Sequence, residues 1–195
     1  MTERKVGQRK SEELTHPIVI AVNRSAKHTF SKANQQSIKL IQGVGVEGDA
    51  HAGKRVKHLY LVNQNPKKPN LRQVHLIHSE LFDELYTKGF SVDSGQLGEN
   101  ITTLGIDLLA LPTRIKLTIG AEAVIELTAL CNPCVQINNY QKGLLNAVLD
   151  WDEENNIIRK AGVMGIVLAG GTICPRDSIV VDLPTEPHYQ LEYVW

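Results

Sequence analysis

The sequence predicts a mostly β fold of the α+β kind, with a barrel-like, largely antiparallel sheet at its centre and a few helices at its side. Three observations carry this expectation. About eight short segments are apolar throughout or alternate apolar with polar residues, which is the period of a strand. Two stretches, 79–88 and 141–149, show the spacing of a helix. Glycine and proline fall between these segments, so the chain turns back often instead of running in long elements.

Residues 1–16 are charged and polar without the apolar centre of a leader peptide, and read as a solvated arm. Residues 17–22 (PIVIAV) form the first strand, where a domain spanning 17–183 begins. After a polar stretch over 23–34, residues 37–41 alternate with Ile38 and Leu40 on one face. Residues 43–55 carry four glycines, which suits a tight backbone loop better than any regular element. Residues 73–77 (QVHLI) read as a strand and 79–88 as a helix with Ser79 as N-cap and Gly89 as its stop. Residues 94–108 pack three glycines around Glu99, Asn100, Thr102 and Thr103, a polar site loop entering a short strand. Residues 114–119 and 122–130 make a hairpin around Gly120 and Ala121. Leu144, Leu145, Val148 and Leu149 place a packing helix at 141–149, and 163–169 with 178–183 read as the two strands of a longer hairpin. Residues 184–195 form a surface tail.

A chain of 195 residues with 42% hydrophobic content is one globular domain with a sizeable core. Its 21 basic residues match its 21 acidic ones, which argues against a generic nucleic-acid or membrane-surface binder. No apolar run reaches the length of a membrane span, and a cytoplasmic location is expected. Three cysteines in a chain this size argue against a disulfide framework, so the thiols are expected to be reduced.

The charge is locally uneven. From residue 50 to 79 there are six basic residues and no acidic one, together with His51, His58, His75 and His78. Two readings fit: an anion site assisted by glycine-rich backbone, or a solvated basic loop. Residues 48–54 (GDAHAGK) imitate a phosphate-binding loop, but Arg55 stands where a Ser or Thr is needed, and a nucleotidase reading is rejected. His75 and His78 are three apart on a strand and point to opposite faces, so they do not make half of a zinc site.

The strongest local signal is the run 121–138. Ala123, Ile125, Leu127 and Ala129 alternate into a strand, Asn132-Pro133 stops it, and Cys134 follows at the strand end. Such a thiol is either a fixed reactive or ligating group or a buried core filler. Cys131 and Cys134 are spaced as a redox pair, but those motifs belong to alternating β/α chains, which this is not.

The segments G-V-E-G-D-A-H at 45–51, V-H-L-I-H at 74–78, G-x-L-G-E-N-I-T-T at 95–103, I-G at 119–120 and N-P-C at 132–134 follow one another in the order seen in MOSC domains. The chain resembles a small stand-alone member of that family over about residues 17–183. The resemblance implies a β-rich, barrel-centred fold and a molybdenum cofactor, or a sulfur destined for it, handled at Cys134. On that basis Cys134 is the metal ligand, and Asp49 and His51 orient the site or move protons. Gly48, Lys54 and Arg55 would hold the cofactor phosphate; Gly98, Glu99, Asn100, Thr102 and Asn132 would meet its polar groups. Substrates would be small N-hydroxylated molecules, reduced with electrons from a partner protein.

Two alternatives stand beside it. Cys134 could carry a persulfide loaded by a cysteine desulfurase, with pyridoxal phosphate confined to that separate partner. The domain could also be a non-catalytic cofactor-binding module. Related sequences often have Arg three residues before the N-P-C cysteine, whereas this chain has Cys131, which removes a positive charge or supplies a resolving thiol.

Overall fold

The computed structural model describes residues 16–192, so all but the last residue of the expected N-terminal arm lies outside the described residues. The apolar segment after Pro17 forms β1 (Ile18–Arg24), with β2 (Ala33–Gln35) returning antiparallel beside it. A small pair, β3 (Ile38–Ile41) and β4 (Gly45–Val46), precedes the glycine-rich loop. After that loop come α1 (Leu59–Gln64), β5 (Val74–His78), α2 (Glu80–Thr87) and β6 (Ile101–Leu104). The expected hairpin is β7 (Lys116–Ile119) and β8 (Ala123–Leu130), and β8 alternates buried with half-buried residues along its whole length. Next stand α3 (Gln136–Tyr140), α4 (Leu144–Ala147) and a short hairpin of β9 (Leu149–Trp151) and β10 (Ile157–Arg159). The chain closes with β11 (Val163–Ala169), β12 (Gly171–Ile173) and β13 (Ile179–Asp182).

Eight of these strands form one large sheet in the order β13-β7-β8-β11-β5-β6-β1-β2, antiparallel except between β5 and β6. A three-stranded sheet, β12-β3-β4, packs against it. The fold is therefore mostly β and α+β around a large sheet. The ladder leaves β13 and β2 at its edges; a single bridge between Ile18 and Ser178 links the start of β1 to the start of β13.

Three local expectations are corrected. The strands over 163–169 and 178–183 are not a hairpin: β11 lies between β8 and β5, while β13 pairs with β7. The chain leaves the large sheet at Gly170 to add β12 to β3, then returns at the far edge. The helix expected over 141–149 is cut at Gly143, whose φ of 91° is left-handed, so 144–147 are helical and Leu149 opens β9. Ser79 does stand at the N-cap of α2, but with a right-handed helical backbone its hydroxyl makes no capping bond; the Glu80 carboxylate accepts from Gly105 N at 2.7 Å.

β5 is the strand on which two cores meet. Val74 and Leu76 join Val22, Ile101, Ile125 and the small sheet's Leu40 in one cluster. Ile77, facing the other way, packs with Leu81, Leu85, Ile137 and Leu144 from the helices. Each such side chain taken fully out of water contributes roughly 1.5–3 kcal/mol, which fixes the faces of β5 and thereby aims His75. Residues 184–192 are held as well: Leu191 is buried and Thr113 N donates to Tyr189 O at 2.8 Å. Among the described residues no helix is long and apolar enough to cross a membrane.

Gly162, at the entry to β11, has a φ of 84°, and its carbonyl accepts Cys131 N at 2.8 Å. A Cβ there would run into the Leu76 carbonyl oxygen. Gly162→Ala is expected to cost at least about 2 kcal/mol, read as a lower urea midpoint. An unchanged midpoint would mean that the spacing of β5, β8 and β11 is not set at this glycine.

Candidate functional site

The site is a cavity of about 360 Å³ between β5, the end of β8, α1 and the loops that follow β1 and β4. Cys134 reaches it because β8 ends at Leu130 and the Asn132-Pro133 step carries the chain out of the ladder toward α3. The thiol is exposed, and its nearest polar partner is Gln136 Oε1 at 3.8 Å.

Beneath the cavity lies a buried ion pair. Lys32 Nζ is 3.0 Å from Asp49 Oδ2, with both side chains almost wholly out of water. Asp49 Oδ2 also accepts from Asn100 Nδ2 at 3.1 Å and Ser25 N at 3.3 Å, and Oδ1 accepts from His51 N at 2.9 Å. His51 Nδ1 stands 3.3 Å from Oδ1. Burial pushes the Asp49 carboxyl up, but the His51 hydrogen bonds and the Lys32 charge outweigh it and hold it well below the usual carboxylate range. Burial also lowers Lys32, against the pull of Asp49.

Three of the four histidines in the basic window reach the cavity: His51, His58 and His75; His28 joins them, edge-on to His51 at 4.9 Å. Desolvation, helped by the nearby cation Arg72, pushes His58 down to about 4. Burial likewise takes His75 to about 4 while its Nε2 donates to Ala161 O at 2.7 Å. His78, on the opposite face of β5, does not line the cavity. Arg72, just before β5, does, and its guanidinium hydrogen-bonds the Cys131 thiol. Burial pushes that thiol up, against the pull of Arg72.

The expected site residues divide into three groups. His51, Gly98, Asn100, Asn132 and Cys134 line the cavity. Asp49, Glu99 and Thr102 lie behind it: Glu99 is fully buried, and its Oε1 accepts from Gly95 N and from Thr102 Oγ1 at 3.0 Å. Gly48, Lys54 and Arg55 are outside the cavity wall, with Lys54 and Arg55 exposed. Asn100 is fully committed to structure, since Oδ1 accepts His75 N and Nδ2 serves Asn23 O and Asp49. Gly98, at φ 84°, brings the 94–100 turn against Phe30 O, where a Cβ would stand 2.6 Å away. Asn132 Oδ1 accepts from Arg159 Nε at 3.2 Å, tying the thiol loop to β10.

Lys32, Arg72, His28 and His58 line the cavity although none was among the expected site residues. Arg72 and His58 fall inside the basic window; Lys32 carried no signal, because its partner Asp49 is met only in three dimensions. The Cys131–Cys134 step does run from a strand into a helix, but residues 131–134 carry neither turn nor bend.

The fold is mostly β and α+β, and its cavity brings Lys32, Arg72 and the Cys134 thiol together. A family model for the MOSC domain matches residues 47–180, and the chain belongs to that family. The solved structure of the YuaD protein of Bacillus subtilis is similar with a TM-score of 0.69 at 21% identity, covering 85% of this chain and 95% of that one. YiiM of Geobacillus stearothermophilus (TM-score 0.60, 16% identity, 85% and 75% covered) and of Escherichia coli (0.58, 14%, 88% and 73%) share the fold. No curated protein sequence matches significantly.

Two stability predictions follow from the buried groups. Asp49→Asn leaves the Lys32 ammonium without its counter-charge and is expected to cost about 3–5 kcal/mol, measured by urea unfolding at pH 7. A loss below about 1 kcal/mol would mean the pair is not what holds these loops. The second concerns pH. The folded His75 refuses the proton that the unfolded chain takes up below its ordinary 6.5, so stability falls as pH drops from about 6.5 toward 4. The limb is on the order of 3 kcal/mol and is expected to flatten in His75→Gln. The same slope in parent and variant would assign it elsewhere.

Proposed function

We propose that this chain binds the molybdenum cofactor in the cavity beside Cys134, with Cys134 as the protein ligand to the metal, and acts in the reduction of small N-hydroxylated compounds. The observation that carries the reading is the convergence of one exposed thiol with Lys32 and Arg72 on a single cavity of about 360 Å³. That volume lies within the range of small-ligand sites, and the donor set suits a ligand that is anionic at one end and thiophilic at the other. Among the described residues no three His, Cys, Asp or Glu side chains converge as a metal cage. A single thiolate fits a metal that arrives with sulfur ligands of its own.

When bound, the cofactor supplies a two-electron redox centre. The chain's residues do the rest. Arg72 and the Lys32 end of the cavity meet anionic groups, in the role first expected of Gly48, Lys54 and Arg55. Asp49 holds His51 by Nδ1, which presents the other ring nitrogen for proton transfer. Asn100, Glu99 and Thr102 keep the 94–102 turn in position, and Asn132 keeps Cys134 in place. The sheet whose first and last strands meet at Ile18 and Ser178 is, on this reading, the barrel that carries the site.

Sulfur carriage is the second reading, favoured by the exposure of Cys134, which a donor protein can reach. Protein made in a host competent for cofactor synthesis is expected to hold molybdenum and an oxidisable, fluorescent pterin in equal amounts. Cys134→Ala is expected to lose nearly all the metal and Cys131→Ala to keep it, by elemental mass spectrometry. Equal metal in Cys134→Ala and parent would end the ligand assignment. No metal or pterin in folded parent, with one sulfur added to Cys134 after incubation with a cysteine desulfurase, would move the function to persulfide carriage.

A further inference from the structure

Residues 54–70 are a folded excursion between the glycine-rich loop and β5. Its limbs are joined by a bridge between Arg55 and Pro69, with Val56 N donating to Lys68 O at 3.0 Å and Asn70 N to Lys54 O at 3.1 Å. Val56 and Leu61 are buried and fasten the excursion to the body, with α1 at its tip. The outward side is different in kind. Leu59 and Tyr60 are 59% and 55% exposed, and the excursion carries five basic residues and no acidic one. Across the cavity Val135, 67% exposed, directly follows Cys134. Leu59, Tyr60 and Cys134 all line the same opening.

Large apolar side chains left in water beside a reactive thiol, inside a rim of one charge, have the anatomy of a docking patch. The sign of the rim selects an acidic counterpart. We propose that the outer face of 54–70, with Val135, docks a protein partner whose acidic side chains surround an apolar centre, seated over the opening that leads to Cys134. A protein fits better than a nucleic acid, because the chain has zero formal net charge and the centre of the patch is apolar. The purpose of docking, delivery of electrons or sulfur to the Cys134 cavity, rests on the proposed function; the docking itself does not.

The test places a photoreactive benzoylphenylalanine in the position of Tyr60 of the full chain, cross-links in cells, and identifies the product by mass spectrometry. The identified protein is then purified and its association with the unlabelled parent followed by surface plasmon resonance at low and high salt. The expected product is an acidic protein whose association weakens with salt. The triple variant Lys57→Glu, Lys67→Glu, Lys68→Glu is expected to slow that association about tenfold or more, with its melting temperature and molybdenum content unchanged. Leu59→Ala is expected to speed dissociation. Cross-links to nucleic acid or lipid, none at all, or an association indifferent to the charge reversal would overturn the proposal. A parent without molybdenum that still associates in this manner would defeat the cofactor reading and leave the docking surface standing.

Discussion

The buried Asp49 carboxylate is the constraint from which the site is built. It collects hydrogen bonds or charge from Ser25 and Lys32 on the loop after β1, from His51 on its own loop, and from Asn100 before β6. A charge removed from water at this depth is tolerable only if every one of these partners stays in place. Three separate loops are thereby locked to one another. Asn100 extends the lock to β5 by accepting His75 N, so the floor of the cavity and the sheet share one network. Glu99 repeats the device one residue earlier, holding the turn through Gly95 N and Thr102. Its other oxygen, like both side-chain polar atoms of the neighbouring Asn23, is buried without a hydrogen-bond partner among the described residues.

The electrostatics of the cavity follow from this lock. Lys32 is offset by Asp49 at 3.0 Å. Desolvation lowers His28, and it takes the partly covered His58 and the buried His75 to about 4, so those two are uncharged donors and acceptors at neutral pH. Arg72 therefore contributes a positive charge on the far wall, and its field is one reason His58 resists protonation. The stretch of six basic residues, read in the sequence as either an anion site or a solvated loop, is divided by the fold. The bridge between Arg55 and Pro69 turns most of the basic stretch outward, and the start of β5 turns Arg72 inward.

Much of the fold was legible because burial and period coincide. β8 alternates in sequence and in structure, and β1, β3, β5 and the β7–β8 hairpin fall within a residue or two of their expected places. The β9–β10 hairpin escaped notice because Trp151, Ile157 and Ile158 remain exposed, so no buried face imposed a pattern. The pairing of β11 with β8 and β5, not with β13, is a tertiary fact: nothing local to 170–178 records that β12 must first visit β3. The site shows the same division. Cys134, Asn100 and His51 were legible from motifs, whereas Lys32 became a site residue only through a partner on another loop.

Cys131 shows how a departure in sequence can be made good in space. A thiol stands where the family resemblance led to the expectation of an arginine, and a guanidinium arrives there from Arg72. The thiol itself is buried with Ala129, Ala161 and Met164, and its backbone N–H is bound to Gly162. A disulfide to Cys134 would need Cα atoms within about 7 Å. The two are free thiols here, Cys131 buried and Cys134 exposed. Burial also disfavours the thiolate that such an attack requires. Cys131 is thus a packed thiol that receives Arg72, whereas Cys134 is the exposed one.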